Sequence, residues 1–218
     1  KTFAVRLKKG NVKAAPIKNI PLQLPFNSKA FTPENFGYTV SFDKKGNSFA
    51  AELIGDKVTC DNITFSIADH ENKNVIKCKG DTIQLPKEAA GKKLYILAAS
   101  TDKDRKSTFL VNGKSHEFEI PYYSGFYGQW GHKGVSDGYI RNASLAYIGS
   151  HRHTEKGNDT YIYTYMYKLG IELPQEAHTL VLPKDENIAV FAITLSDNYI
   201  DDISTANEMR TLPLEVSK

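Results

Sequence analysis

Short runs with alternating apolar and polar positions recur along this chain, separated by turn residues, and they predict strands rather than helices. The runs cover residues 2–7, 49–54, 63–68, 75–79, 93–100, 107–111 and 116–120. They resume at residues 145–149, 161–173, 179–182 and 188–195. Asn112-Gly113 sits between two of them and is a strong hairpin signal, because both positions of a tight β-turn then tolerate positive φ. Residues 94–99 form an unbroken apolar run, which suits a strand buried on both faces. A second turn falls at Asp43-Lys44-Lys45-Gly46-Asn47. Residues 9–25 hold prolines and several lysines and read as a linker or an edge crossing, since proline lacks the donor a central strand needs. The single helical candidate, residues 201–209, is short and polar. Many short strands with frequent turns predict an all-β chain, a β-sandwich or jelly roll. The pattern divides into a leading strand and linker at 1–25, a sandwich at 26–200 and a C-terminal tail at 201–218.

Composition narrows the function classes. A chain of 218 residues with 40% hydrophobic and 24% charged residues buries a sizeable core without metals or disulfides. The net charge is +3 and the basic residues are scattered, so nucleic acid is not an expected partner. No apolar run approaches the roughly 20 residues of a membrane-spanning helix, so no membrane partner is expected either. The chain begins Lys-Thr-Phe without methionine and reads as a piece of a larger polypeptide. Cys60 and Cys78 each close or follow a short apolar run. They pair if those runs are neighbouring strands and remain free thiols otherwise. Asn62, Asn142 and Asn158 head Asn-x-Ser/Thr triplets, which matter only in a eukaryotic secretory setting.

Three places carry chemistry. His151 and His153 are spaced i, i+2, so in an extended segment both imidazoles face one way and Arg152 faces the other. That spacing suits a shared metal if Glu155, Asp159 or His132 supplies a third ligand. It equally suits a hydrogen-bonded corner or a polar ligand-contacting site. The loop 121–134 holds Tyr122, Tyr123, Phe126, Tyr127 and Trp130, with Gln129, His132 and Lys133 beside them. Aromatic faces stack on sugar C–H faces while amides and charges bind hydroxyls; the alternative is that Trp130 plugs the core, as large aromatics commonly do. Tyr161, Tyr163, Tyr165 and Tyr167 alternate along one strand and form either a sugar-stacking platform or a packed sheet face. Asp43, Asn47 and Glu52 flank a glycine turn, either holding Ca²⁺ through oxygen ligands or lying in a solvated turn. The remaining acidic pairs, such as Asp102/Asp104 and Asp201/Asp202, sit in turns and do not face each other across a substrate. No nucleophile elbow, phosphate loop or Cys-x-x-Cys occurs, so catalysis has little support.

Several segments also resemble a known family. They are residues 2–7, Leu22-Gln23-Leu24-Pro25-Phe26-Asn27, Ser41-Phe42-Asp43 with Gly46 and Ser48, and Ala51-Glu52-Leu53. Thr82-Ile83-Gln84-Leu85-Pro86, residues 94–100, Gly128-Gln129-Trp130 and Ser150-His151-Arg152-His153 follow in order. Together they resemble the C-terminal accessory region of bacterial glycoside hydrolase family 38, the α-mannosidase-like proteins. The loop departs from the family pattern, since Lys44 follows Asp43 and no proline precedes Ala51-Glu52. The resemblance implies a galactose-binding-like sandwich, often with a structural calcium, behind a preceding β-domain. It implies a non-catalytic module that supports the catalytic domain of the same polypeptide, with a mannose-containing glycan as candidate ligand. A periplasmic or extracellular bacterial location follows from it. The expected carbohydrate site gathers Tyr127, Gln129, Trp130, His151, Arg152, His153 and Asp159 at one end of the sandwich. Two other classes stay open: a small metal-dependent enzyme using His151 and His153, and a surface adhesion module.

Overall fold

The computed structural model describes residues 17–34, 40, 42–129, 139–141 and 143–197. These residues form β1 (Asn19–Pro21), β2 (Phe31–Thr32), β3 (Ser48–Ala50), β4 (Lys57–Cys60), β5 (Ile63–Ser66), β6 (Ile76–Lys77), β7 (Thr82–Gln84) and β8 (Lys93–Ser100). They continue with β9 (Arg105–Val111), β10 (Lys114–Ile120), β11 (Gly128–Gln129), β12 (Tyr139–Ile140), β13 (Ser144–Thr154), β14 (Gly157–Glu172), β15 (Thr179–Val181) and β16 (Ile188–Ser196). The helical content among the described residues is two single 3₁₀ turns, Ala51–Leu53 and Lys87–Ala89.

The large sheet runs β1-β16-β8-β14-β13-β3-β2, with β6 also pairing β16. A four-stranded sheet runs β10-β9-β15-β7. Strand β8 is buried at every position, as its unbroken apolar run predicts. Its alternation explains the layering. Leu94, Ile96 and Ala98 pack with Phe109, Val111 and Leu180 of the smaller sheet. Tyr95, Leu97 and Ala99 enter a second core with Phe31, Phe42, Phe49, Tyr123 and Phe191, covered by Val58, Ile63 and Phe65 of the β4–β5 hairpin. The chain is therefore an all-β sandwich whose large sheet is covered on both faces.

The β9–β10 hairpin turns at Asn112 and Gly113, with φ of 48° and 82°, as a tight turn of this hand requires. Within the stretch 9–25, read as a linker or an edge crossing, residues 19–21 form β1, which pairs with β16 in the register Asn19↔Ser196 and joins the large sheet. Pro21 is accommodated there because β1 is an edge strand. Ser150 to His153 fall outside the strands expected at 145–149 and 161–173, but they lie inside β13, and the chain reverses only after Thr154. The expected strand at residues 2–7 and the helical candidate at 201–209 lie outside the described residues.

Cys60 ends β4 and Cys78 follows β6; β4 pairs with β5 while β6 pairs with β16, so the two runs are not neighbours. Neither cysteine forms a disulfide. Burial, followed by the Asp81 and Asp185 charges, pushes the Cys78 thiol far above its ordinary value and removes its thiolate. A thiol reagent is therefore expected to leave Cys78 unmodified in the native chain and to titrate both cysteines in denaturant. Recovery of a 60–78 disulfide by mass spectrometry would overturn the pairing described here.

Candidate functional site

Strand β13 supplies the side chains and β3 brings their partner. Arg152 and His153 pair with Phe49 and Ser48 of β3. The chain then tightens into the turn Ala51–Leu53, which lays Glu52 over the histidines. The i, i+2 spacing places both imidazoles on one face, with ring centroids 5.4 Å apart and planes inclined by 29°. Both Nε2 atoms meet the same carboxylate oxygen of Glu52, at 2.9 Å from His151 and 3.0 Å from His153. His153 Nδ1 lies 3.0 Å from Thr32 Oγ1, which in turn lies 2.5 Å from Ser48 Oγ. His151 Nδ1 lies 3.3 Å from Ser150 Oγ. Side-chain exposure falls from 29% at Glu52 to 16% at His151 and 6% at His153, so the cluster has an open mouth and a closed floor.

Burial pushes the Glu52 carboxyl up, but its own backbone N–H and the two imidazoles outweigh this and hold it below the ordinary glutamate value. Tyr147 lies nearby, its hydroxyl pushed up by burial and by the Glu52 charge. Gly149 is required by space: a Cβ there would sit 2.5 Å from Thr164 Oγ1 and 2.9 Å from the Tyr147 hydroxyl.

The expected carbohydrate set divides between faces. Arg152 points away from the histidines and binds Asp159 Oδ2 through Nε at 2.9 Å and through its terminal nitrogen at 2.7 Å. Tyr127 is half-buried, donating to Ala143 O at 3.1 Å and tilted against Tyr165. Gln129 lies in β11. Trp130, His132 and Lys133 lie outside the described residues.

The expected calcium set also separates. Asp43 Oδ1 accepts the Lys45 and Asn47 backbone N–H groups at 2.9 and 3.0 Å. Asp43 Oδ2 accepts Asn47 Nδ2 at 2.7 Å and the Tyr123 hydroxyl at 2.8 Å. Donors thus occupy both oxygens, and Asp43 and Asn47 close a buried turn instead of presenting oxygens to a hard cation. Glu52 is drawn into the histidine pair. Of the third ligands expected for the histidines, Asp159 is paired with Arg152, and Glu155 lies beside Gly46.

The tyrosine stripe divides as well. Tyr161, Ile162 and Tyr163 stand opposite Ser150 alone, a bulge in the β13–β14 pairing. Tyr165 and Tyr167 are buried, their hydroxyls donating to Gly125 O and Tyr122 O. Tyr161 and Tyr163 are 82% and 42% exposed, and Tyr161 is held at φ 65°, costly for a bulky side chain. A bridge between Ser124 and Thr164 runs the following loop beside this bulge, where Phe126 is 67% exposed.

A family model for the AziU2-like beta-sandwich domain matches residues 18–199. The chain belongs to this family. A search of curated proteins finds no match. The AziU2-like match agrees with the layered sheets and with β1 as part of the domain; it names a sandwich and no glycoside hydrolase.

Proposed function

We propose that this AziU2-like sandwich is a non-catalytic binding module of a longer polypeptide and that its ligand is carbohydrate. The observation that carries this reading is the group of exposed aromatics, Phe126, Tyr161 and Tyr163, along the β14 bulge and its neighbouring loop. An exposed group of large apolar rings marks an interaction surface. Rings that are edged by hydroxyls suit the mixed apolar and polar faces of a sugar. The held positive φ of Tyr161 adds support, since backbone strain concentrates where a side chain must be presented. The narrower placement, an accessory region that buttresses an α-mannosidase-like catalytic domain, is supported by the order of the motifs quoted above.

Titration of the full chain with mannosides, preceded by a glycan array, tests the reading. Millimolar or tighter binding is expected, weakened roughly 5-fold or more by Tyr163→Ala, since an aromatic contact contributes about 1 kcal/mol. The melting temperature should not move, because Tyr163 is on the surface. Absence of any glycan binding at ~10 mM, an affinity weaker than about 3 kcal/mol, would remove carbohydrate as the ligand.

A further inference from the structure

We propose that Glu52, His151 and His153 form a binding site for a divalent transition-metal ion of the zinc class. The site goes beyond the carbohydrate reading and does not depend on it. Two imidazole nitrogens and one carboxylate oxygen are the donors that borderline ions such as Zn²⁺ take, whereas Ca²⁺ and Mg²⁺ take oxygens alone. The three donor atoms lie within 4.8 Å of one another. With metal–ligand bonds of about 2.0–2.2 Å, neighbouring donors stand roughly 3.0 Å apart in an octahedral shell and roughly 3.4 Å in a tetrahedral one. The observed 2.9 and 3.0 Å need only a small opening to admit an ion.

The outer partners fit the same role. A metal-bound histidine presents Nε2 to the ion and donates Nδ1–H to an oxygen that fixes the ring. Thr32 Oγ1 stands at that position for His153 and Ser150 Oγ stands there for His151. With Nε2 on a metal and the proton on Nδ1, Thr32 Oγ1 would accept from the His153 ring and donate its own proton to Ser48 Oγ, so the hydroxyl chain suits the bound tautomer. His151 and His153 are also fixed by the strand pairing of β13 with β3 and β14, a rigid base for a ligand set. Arg152, the nearest cation in sequence, is on the opposite face and neutralised by Asp159. Three protein ligands leave positions for water or a further ligand.

The test uses the full chain, stripped with a chelator and titrated at neutral pH with Zn²⁺ against a chromophoric competitor. Co²⁺ is then substituted to report on coordination through its visible absorption. One ion per chain at micromolar or tighter affinity is expected, with a rise in melting temperature on binding. His151→Ala and Glu52→Gln should each weaken binding by ~100-fold or more, at or beyond the upper end of what losing an outer partner costs. Both residues are at the open mouth, so the metal-free melting temperature should stay near that of the parent chain, and Tyr161→Ala should bind normally. Three results would overturn the proposal: no saturable one-to-one binding up to ~100 µM free Zn²⁺, an affinity unchanged in both variants, or displacement of Zn²⁺ by equimolar Ca²⁺.

Discussion

Replacing Phe49 by alanine is expected to lower the unfolding free energy by about 3–5 kcal/mol, the range for a fully buried phenylalanine. Phe49 is 0% exposed and its ring centroid lies 5.2–5.8 Å from those of Phe31, Phe42, Tyr123 and Phe191. Deleting it removes the transfer energy of the ring and opens a cavity walled by other rings. Those walls are stiff and held from several strands, so they collapse poorly, and the cost should fall in the upper half of the range. Phe49→Leu keeps most of the volume and should cost only about 1–2 kcal/mol. Urea unfolding checks both: the midpoint should move while the slope stays constant. A loss below about 1 kcal/mol for the alanine variant would show that this cluster is not the packed core described here. The substitution also reaches the candidate site. Phe49 is opposite Arg152 in the β3–β13 register and adjoins Ser48, whose hydroxyl closes the chain to Thr32 and His153. Broadened His153 ring signals in an NMR spectrum should therefore accompany the lost stability.

Which parts of this arrangement were readable follows from how local their causes are. Strand β8 was legible end to end because burial on both faces leaves no polar position to interrupt the run. The β9–β10 hairpin was legible because its turn chemistry is contained in Asn112 and Gly113. Strands β2 and β7 are two or three residues long, too short for any period to show, and of the strand expected at 49–54 only Phe49 and Ala50 fall in β3 before the chain enters the 3₁₀ turn Ala51–Leu53. The second half of β13 falls outside the strand expected at 145–149 because Ser-His-Arg-His carries no apolar alternation. Its polar side chains remain in a strand because distant residues satisfy them: Glu52 stands 101 residues before His153, and Thr32 stands 121 before it. No local window contains that information. The spacing of His151 and His153 did give their common face, and Glu52 was noticed for its acidity, yet only the β3–β13 pairing unites them. In the same way, the four alternating tyrosines gave a single face until the bulge opposite Ser150 turned two of them outward.

The second large effect is expected at Asp43. Asp43→Ala should destabilise the chain by about 3–5 kcal/mol, the range for removing one member of a buried, charge-assisted set. The carboxylate is 3% exposed and receives two hydrogen bonds on each oxygen. Its loss strands the Tyr123 hydroxyl, on a side chain with no exposed surface, and frees the turn in which Lys44 and Gly46 hold positive φ. Burial, together with the Asp43 charge, pushes that hydroxyl far above its ordinary value, so it stays protonated and donates to Asp43. The double variant Asp43→Ala/Tyr123→Phe should therefore be less unstable than the sum of its parts, by a coupling of about 1–3 kcal/mol. Additivity within ~0.5 kcal/mol would show that the hydroxyl and carboxylate do not depend on each other. Asp43→Asn distinguishes charge from shape: its amide keeps one acceptor for the turn but presents N–H to the Asn47 amide, so it should recover only part of the loss. The turn leads directly into β3, because Phe42 N–H donates to Asn47 O immediately before Ser48. Zn²⁺ affinity should accordingly fall in Asp43→Ala although Asp43 touches none of the proposed ligands, which makes the buried turn a positioning device for the histidine face.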